Sequence, residues 1–441
     1  MPAPRHLSAS SLHVSHFRQL NVHKHQTVSA HLKRLFGLLV ILFMSAALGV
    51  SISAAQSADK IDSPAGQWIG SAEVNGKQVP FRLDVSGSGD QVHAALINGK
   101  EESPASSGTY ADGHLVLHFD YYANTLDATV KDGVLNGTFG GHIPSVPIVA
   151  HLNGQTPPAS ADPPNIAGEW EVATESPKGE HAWKLKVQQS GADVEAFIQR
   201  IDGDTGKLYG VWRDGQFAVS HFTAAGPSYV VLQPQNDGTL QLLTFGHGGA
   251  VKQLPARRPK DARAQSLSGP DDPLTHTSLK DPKAPLTFQF PDLSGKVVSS
   301  TDPEFKGKVL ILSIGGSWCP NCQDEAPFFE ELYQKFHSQG LEIVELSFED
   351  QAELSSLTRL KAVIRRFGIT YPVLVAGTPD QLNDKFPSVV NLNCWPTTFF
   401  IGKDGLVKAT HAGYSGPATG GDNLELRNET TSLVEKLLAG D

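Results

Sequence analysis

Two kinds of hydrophobic pattern divide this chain. Between residues 60 and 255, apolar and polar positions alternate in short runs such as 81–85 and 114–119, separated by Gly, Asp and Asn turn signals. A period of two predicts strands with one buried face, so this stretch is expected to be all-β. After residue 276, continuous apolar runs alternate with helical periodicity, which predicts an α/β domain.

The all-β stretch contains an internal repeat. Ala-Gly-Gln-Trp ending at Trp68 recurs as Ala-Gly-Glu-Trp ending at Trp170, 102 residues later, and the same shift pairs Leu83 with Leu185. We predict duplicated β-meander units at 61–152 and 165–253, forming two small sandwiches or barrels, or two halves of one larger barrel. The two tryptophans are expected in the core, although a binding module that presents a substrate protein or glycan is the functional alternative.

Two linkers are predicted around the second unit. The Pro-rich stretch 156–164 should be stiff, and residues 254–275 should form a flexible, solvated tether with a basic cluster.

The first 55 residues resemble an export signal. A polar, His-bearing extension ends at Lys33 and Arg34, an apolar run follows, and small residues reach Ala55. This pattern predicts an N-terminal extension and signal peptide over 1–55, with an uncleaved anchor at 35–55 as the alternative. Both place the protein in the periplasm or cell envelope, an oxidising compartment, with membrane contact only through this segment if it is retained.

The C-terminal domain, expected over 276–441, is organised around one short motif. A buried strand is predicted at 309–314, and apolar positions 329, 332, 333 and 336 define a helix face. Trp-Cys-Pro-Asn-Cys, residues 318–322, lies on the turn between them. Further patterns complete the order β–α–β–α–β–β–α, which predicts a mixed sheet with helices on both faces.

The position of the two cysteines indicates redox chemistry. A helix N-terminus stabilises a thiolate at Cys319, and Cys322 lies one turn on, within reach of a disulfide. Such a pair exchanges two electrons with another dithiol. A zinc site would need four ligands, and the only other cysteine is Cys394. A purely structural disulfide is the remaining alternative.

Residues 276–440 resemble the TlpA/ResA-like thiol–disulfide oxidoreductases of bacterial cell envelopes, which have a thioredoxin fold. The resemblance rests on the motif at 318–322 and on Trp-Pro-Thr-Thr-Phe-Phe-Ile at 395–401. It implies that Cys319 attacks, that Cys322 resolves, and that a cis-proline at Pro396 faces the dithiol. It also implies no cofactor besides the redox-active disulfide. The substrate groove is expected to include these residues: Trp318, Pro320, Trp395, Pro396 and Thr397.

Two departures from the family pattern affect mechanism. Ser313 stands where thioredoxins carry a buried Asp, so the family resemblance offers Glu349 or Asp350 as proton acceptor, with solvated loop acids as the alternative. Cys394 stands where a small residue is usual. It is either a buried free thiol or a third thiol that exchanges with the pair.

Composition narrows the function classes. The chain has 441 residues, 39% of them hydrophobic, and a net charge of −10 without a long basic stretch in its mature part, which argues against nucleic acid as a partner. The histidines show no ligand spacing, so no metal site is predicted.

We expect an exported reductant of disulfides in cysteine-containing envelope proteins, for example in cytochrome c maturation, that needs a membrane electron donor. The alternatives are a disulfide oxidase or isomerase of the same fold, and a binding protein whose β units carry the main function. A peroxidase is disfavoured because residues 313–319 lack the Pro-x3-Thr-x2-Cys motif.

Overall fold

The computed structural model describes residues 63–440. The predicted signal or anchor within 1–55 therefore lies outside the described residues. Among the helices that are described, none is long and apolar enough to cross a membrane.

The first β unit is a nine-stranded antiparallel sheet. Its strands are β1 Gly66–Val74, β2 Lys77–Ser86, β3 His93–Asn98, β4 Glu101–Pro104, β5 Ser107–Ala111, β6 His114–Phe119, β7 Asn124–Lys131, β8 Val134–Gly141 and β9 Val146–Leu152. The order is β4-β3-β2-β1-β9-β8-β7-β6-β5, so the first and last strands pair and the sheet curls around its apolar face. Alternate residues such as Leu83, Leu117 and Leu126 are fully buried, as the period of two predicts.

The second β unit repeats this plan and closes on itself. Its strands are β10 Gly168–Ala173, β11 Ala182–Ser190, β12 Asp193–Arg200, β13 Gly203–Asp204, β14 Leu208–Arg213, β15 Gln216–Thr223, β16 Gly226–Pro234, β17 Leu240–Phe245 and β18 Val251–Arg257. Closure follows because β10 pairs with both β11 and β18 while β11 also pairs with β12. The units are thus two separate sheets rather than two halves of one.

The register confirms the duplication. Trp68 is opposite Leu83 in the first unit, and Trp170 is opposite Leu185 in the second. Both indoles donate from Nε1 to the carbonyl oxygen four residues earlier, at 2.8 Å and 2.9 Å. Both rings are buried, so the expectation that the two tryptophans belong to the cores is confirmed.

The two β units pack directly on each other. Phe222 at the end of β15 lies 5.0 Å, between ring centroids, from both Phe81 and Phe139 of the first unit. Asn124 of the first unit donates from Nδ2 to the carbonyl oxygen of Ala224 at 2.9 Å. Aromatic packing and a buried hydrogen bond therefore join the units.

Neither predicted linker is a free tether. Residues 254–257, expected in the flexible linker, complete β18, because Leu254 and Ala256 alternate into the core of the second unit. Arg258 of the basic cluster stacks 3.6 Å above the Trp170 ring. In the Pro-rich stretch, the carbonyl oxygen of Ala161 accepts from Trp212 Nε1 at 3.2 Å.

The remaining elements lie in the C-terminal part. They are α1 Pro259–Ala264, α2 Pro273–His276, β19 Ser278–Leu279, β20 Gln289–Pro291, β21 Val297–Ser299, β22 Val309–Gly315, α3 Pro320–Phe336, β23 Leu341–Phe348, α4 Thr358–Phe367, β24 Val373–Gly377, α5 Leu382–Lys385, β25 Val389–Val390, β26 Thr397–Ile401, β27 Val407–Ala412 and α6 Gly421–Ala439.

A five-stranded mixed sheet forms the centre of the C-terminal domain. Its order is β24-β23-β22-β26-β27, with β22, β23 and β24 parallel and β26 and β27 antiparallel. β22 is buried along its whole length, because α3 and α6 cover the sheet on one side and shorter segments cover the other. The predicted order of elements and the mixed sheet are confirmed.

The matched tryptophans generate a stability prediction. Replacing either Trp68 or Trp170 with Phe leaves the carbonyl oxygen at residue 64 or 166 without its donor and leaves a void beside the smaller ring. We expect each change to cost about 1–3 kcal/mol, measured as a lower urea midpoint by circular dichroism. Val251→Ala, at a half-exposed position, is the control and should shift the midpoint little. Unchanged midpoints for both Phe variants would contradict this.

Candidate functional site

The two motif cysteines form a disulfide at the start of α3. Cys319 is the N-cap residue, Pro320 occupies the first helical turn, and Cys322 lies on the same turn. The backbone N–H of Cys322 donates to Cys319 Sγ at 3.1 Å. A free helix N–H therefore points at the sulfur that must carry negative charge when the pair is reduced.

Two packed tryptophan rings, Trp318 and Trp395, lie beside the disulfide. Trp318 donates from Nε1 to the carbonyl oxygen of Phe348 at 2.9 Å, and its ring meets the Trp395 ring edge-on at a centroid distance of 5.4 Å. The Trp395–Pro396 peptide bond is cis. Thr397 donates from Oγ1 to the carbonyl oxygen of Cys394 at 2.8 Å, which ties down this loop. Of the residues predicted for the groove, Trp318, Pro320 and Trp395 line the cavity beside the disulfide, whereas Thr397 is fully buried.

Glu349 is not a solvated loop acid. Its carboxylate is fully buried, accepts from Ser317 N at 2.8 Å and Oγ at 2.6 Å, and pairs with Arg359 Nη2 at 3.0 Å. Asp350 accepts from the same guanidinium nitrogen at 2.8 Å and lies 3.4 Å from His142 Nδ1 of the first β unit. Both acids hold the loop through Arg359, and their role as proton acceptors stays a prediction.

Sequence reasoning missed Glu325 as a site residue. It lies one helical turn after Cys322 and is buried, and its carboxylate accepts from Ser313 Oγ at 3.0 Å and from Thr398 Oγ1 at 3.2 Å. Burial raises the pKa of Glu325 to about 8. Helix α3 thus supplies the acid that position 313 lacks. The sequence signal for it was an acidic residue three positions after the second cysteine, one helical turn on.

Glu345 on β23 is a second missed acid. It pairs in register with Ser313, and burial followed by the charge of Glu349 raises its pKa to about 7, although part of the side chain keeps solvent contact. A methyl group at Gly315 would lie 3.3 Å from Cys322 Sγ and 3.7 Å from Glu345 Oε1. Only the absence of a side chain at Gly315 keeps the space between this sulfur and this carboxyl open.

These two carboxyls suit proton transfer at Cys322. A general acid or base works best when its pKa is near the working pH, and both Glu325 and Glu345 are shifted into that range. Cys322 must lose a proton before it can attack the sulfur of Cys319, so an acceptor near its thiol is chemically useful.

Cys394 has the character of a buried structural thiol. It is 0% exposed and packs against Ile201 and Ala412. Burial raises the pKa of the Cys394 thiol to about 12, which leaves little thiolate to act as nucleophile. Of the two alternatives for this residue, the structure favours the inert one.

Both β units reach the dithiol. Asn321, between the cysteines, donates from Nδ2 to the carbonyl oxygen of Asp202 in the second unit at 2.9 Å. Gln323 donates from Nε2 to the carbonyl oxygen of Tyr121 in the first unit at 2.8 Å. A cavity of about 650 Å³ remains between the three parts, with Cys319 and Trp318 on its wall. Within residues 63–440, no group of His, Cys, Asp and Glu side chains is arranged to hold a metal ion.

Fold and site together define a thioredoxin-like redox domain: a mixed sheet, a Cys-x-x-Cys pair at a helix start and a cis-proline beside it. Residues 281–410 match the model of the AhpC/TSA family. The domain is also similar to the thiol-disulfide oxidoreductase ResA of Bacillus thuringiensis (strain Al Hakam), at 32% identity over 27% of this chain and 62% of the relative. ResA of Bacillus subtilis (strain 168) is 32% identical over 27% of this chain and 60% of the relative.

One solved structure with a similar domain is a putative thiol:disulfide interchange protein DsbE from Chlorobium tepidum. It is 21% identical, covers 35% of this chain and 99% of that chain, and has a TM-score of 0.27. The chain spans less than two thirds of the ResA relatives, and the two β units lie outside the match with the family model. The predicted ResA-like thioredoxin-fold domain behind a duplicated β-rich region is confirmed.

The raised pKa of Glu325 predicts a pH dependence of stability. The folded chain holds a proton on this carboxyl up to a pH of about 8, whereas the unfolded chain releases it near the ordinary value of 4.5. Stability contributed by the protonated carboxyl is therefore present below 4.5 and is lost as pH rises towards 8. Thermal melts between pH 5 and 9 should show a smaller decline for Glu325→Gln than for the natural chain.

The exposed Glu73 provides the matched control for this experiment. Glu73→Gln should follow the natural chain at every pH. A Glu325→Gln profile that does the same would show that Glu325 titrates as an ordinary surface carboxyl.

The buried ion pair predicts a strong coupling. Arg359→Met leaves the Glu349 carboxylate buried without its cation and should cost about 3–5 kcal/mol of folding free energy. Adding Glu349→Gln should recover part of that loss. A double-mutant cycle in urea measures the coupling, and simple additivity of the two single changes would contradict it.

Proposed function

We propose that this protein is an exported thiol–disulfide oxidoreductase that reduces disulfides of cysteine-containing envelope proteins. The observation that carries the proposal is the Cys319–Cys322 disulfide at the start of α3, with a helix N–H directed at Cys319 Sγ. The similarity of this domain to ResA supports the reaction class.

The exchange proceeds in two balanced steps. The reduced Cys319 thiolate attacks one sulfur of the partner disulfide, forming a mixed disulfide and releasing the other partner sulfur as a thiolate that takes up a proton. Cys322 then loses its proton to Glu345, or to Glu325 where the pH leaves that carboxyl ionised, and attacks Cys319 Sγ. The Cys319–Cys322 bond forms, the second partner sulfur leaves as a thiol, and two electrons have passed to the partner.

The direction and the setting form part of the same proposal. A reductant leaves each cycle oxidised, so a membrane dithiol donor must return two electrons to the pair. The apolar run at 35–55 supports export, and the resemblance to envelope oxidoreductases supports partner proteins of that compartment, including those of cytochrome c maturation.

The reduction potential of the Cys319–Cys322 pair tests the direction. We expect equilibration with glutathione to give a value close to roughly −270 mV, because that range belongs to reductants. A value close to about −120 mV would make the protein a disulfide donor, as in the oxidase alternative.

Matched cysteine variants show which sulfur reacts. Cys319→Ser should abolish exchange with a small aromatic disulfide, and Cys322→Ser should accumulate the mixed disulfide. Cys394→Ser should retain exchange, because that thiol is buried away from the reaction.

A further inference from the structure

A short segment of the second β unit contacts the residue between the two cysteines. Residues 201–204, called the covering loop below, follow β12 and include the two-residue strand β13. Asn321 donates to the carbonyl oxygen of Asp202 at 2.9 Å, and the backbone N–H of Gly416 donates to Asp204 Oδ2 at 2.6 Å. The covering loop is therefore bound at the helix start and at the segment after β27.

Apolar contact holds the same loop against the cis-proline segment. Ile201 packs against Cys394, two residues before Pro396, and against Ala412 at the end of β27, and all three side chains are buried. The covering loop thus contacts every element that borders the disulfide on this side.

The loop and its surroundings fit without spare room. A methyl group on Gly203 would lie 2.3 Å from Asn321 Nδ2 and 2.6 Å from the carbonyl oxygen of Tyr414. A methyl group on Gly413 would lie 2.4 Å from the carbonyl oxygen of Ile201. Both glycines have positive φ, at 119° and 72°. The backbones approach so closely that any side chain, on either partner, must push the loop away.

The loop is braced from its own unit. Lys178 Nζ lies 2.7 Å from Asp202 Oδ2, and Glu180 Oε1 accepts from the backbone N–H of Ile201 at 2.7 Å. These contacts do not involve the C-terminal domain. They would persist if the covering loop left the dithiol, so the loop would stay joined to its own unit.

Occlusion of the reacting sulfur is the consequence. Cys319 is only 3% exposed, yet exchange requires a third sulfur to reach it in line with the disulfide. Asp202 and Asp204 line the cavity that reaches Cys319, so they narrow the approach for a cysteine on a folded partner protein. The cavity of about 650 Å³ that reaches Cys319 is large enough for a small disulfide or dithiol.

We propose that the covering loop decides which disulfides this protein accepts. In the described conformation, the site exchanges with small-molecule thiols and disulfides through the cavity, and protein disulfides react only after the loop leaves the groove. The second β unit is then an autoinhibitory cover that a partner protein must displace. This inference rests on the proposed thiol–disulfide exchange and adds its selectivity.

Two glycine variants test the proposal, and a third glycine variant is the control. Gly203→Ala and Gly413→Ala each place a methyl group into the contact from opposite sides. Gly191→Ala, in the same unit and also at positive φ (59°), meets nothing within 4 Å, so it imposes backbone strain comparable to that of Gly413→Ala (72°) without a clash. Two substrates are compared: hydroxyethyl disulfide, which is small, and insulin, which is a protein.

We expect the natural chain and Gly191→Ala to reduce hydroxyethyl disulfide but to act slowly on insulin. The ratio of the insulin rate to the hydroxyethyl disulfide rate should rise tenfold or more in Gly203→Ala and Gly413→Ala. An equal ratio in all four proteins would overturn the proposal. Failure of the natural chain on hydroxyethyl disulfide, with dithiothreitol as reductant, would instead overturn the proposed function itself.

Cys394 gives a readout that does not depend on activity. In the oxidised protein it is the one free thiol, and Ile201 of the covering loop lies against it. Alkylation by iodoacetamide should be at least tenfold faster in the two clashing variants than in Gly191→Ala. Equal alkylation rates in variants that retain their circular dichroism would also overturn the proposal. If both clashing variants fail to fold, Asp204→Asn, which weakens the contact with Gly416, replaces them under the same criteria.

Discussion

The first turn of α3 is the point on which the rest of the structure depends. Within five residues it carries the sulfur of Cys319, the Asn321 amide bound to the second β unit and the Gln323 amide bound to the first. The unpaired backbone N–H of Cys322 donates to the sulfur, and the side-chain amides of Asn321 and Gln323 donate to backbone carbonyl oxygens of the two β units. The redox cysteines and the contacts that join the three parts therefore lie on the same helical turn. A substitution that shifts this turn would alter both the disulfide and the packing of the parts.

A cluster of polar side chains is buried close in the fold to the disulfide. Burying its carboxyls costs folding free energy, and proton transfer at the cysteines is a chemical reason to retain them. Glu325 on α3, and Glu345, Ser313 and Thr398 on the sheet, lie where a purely structural interface would carry apolar side chains. Burying carboxyls disfavours their charged forms, which lowers stability as pH rises but brings their pKa values close to that of a working proton acceptor. Such compromises between stability and reactivity are typical of functional sites.

The duplication gives each β unit a related contact with a different neighbour. At the end of β3, Asn98 donates to the carbonyl oxygen of Lys207 in the second unit at 2.9 Å. The corresponding position in the second unit is Arg200 at the end of β12, and the loop that follows it reaches the C-terminal domain. The corresponding strand end of each unit thus meets the next part of the chain, and in the second unit the segment after that strand contacts the start of α3.

Local patterns determined much of this protein from the sequence alone. Period-two alternation and the Trp68 and Trp170 repeat predicted the duplicated β units, and the strand–turn–helix around Cys319 predicted the redox motif, because these features depend on neighbouring residues. Only the tertiary structure decided the burial of Glu325, the inclusion of residues 254–257 in a strand and the burial of Cys319. Glu325 and Ser313 meet only when α3 packs on β22. Ile201 meets Cys394 only when the second β unit packs on the C-terminal domain. Contacts between distant segments depend on packing geometry, which one sequence does not display.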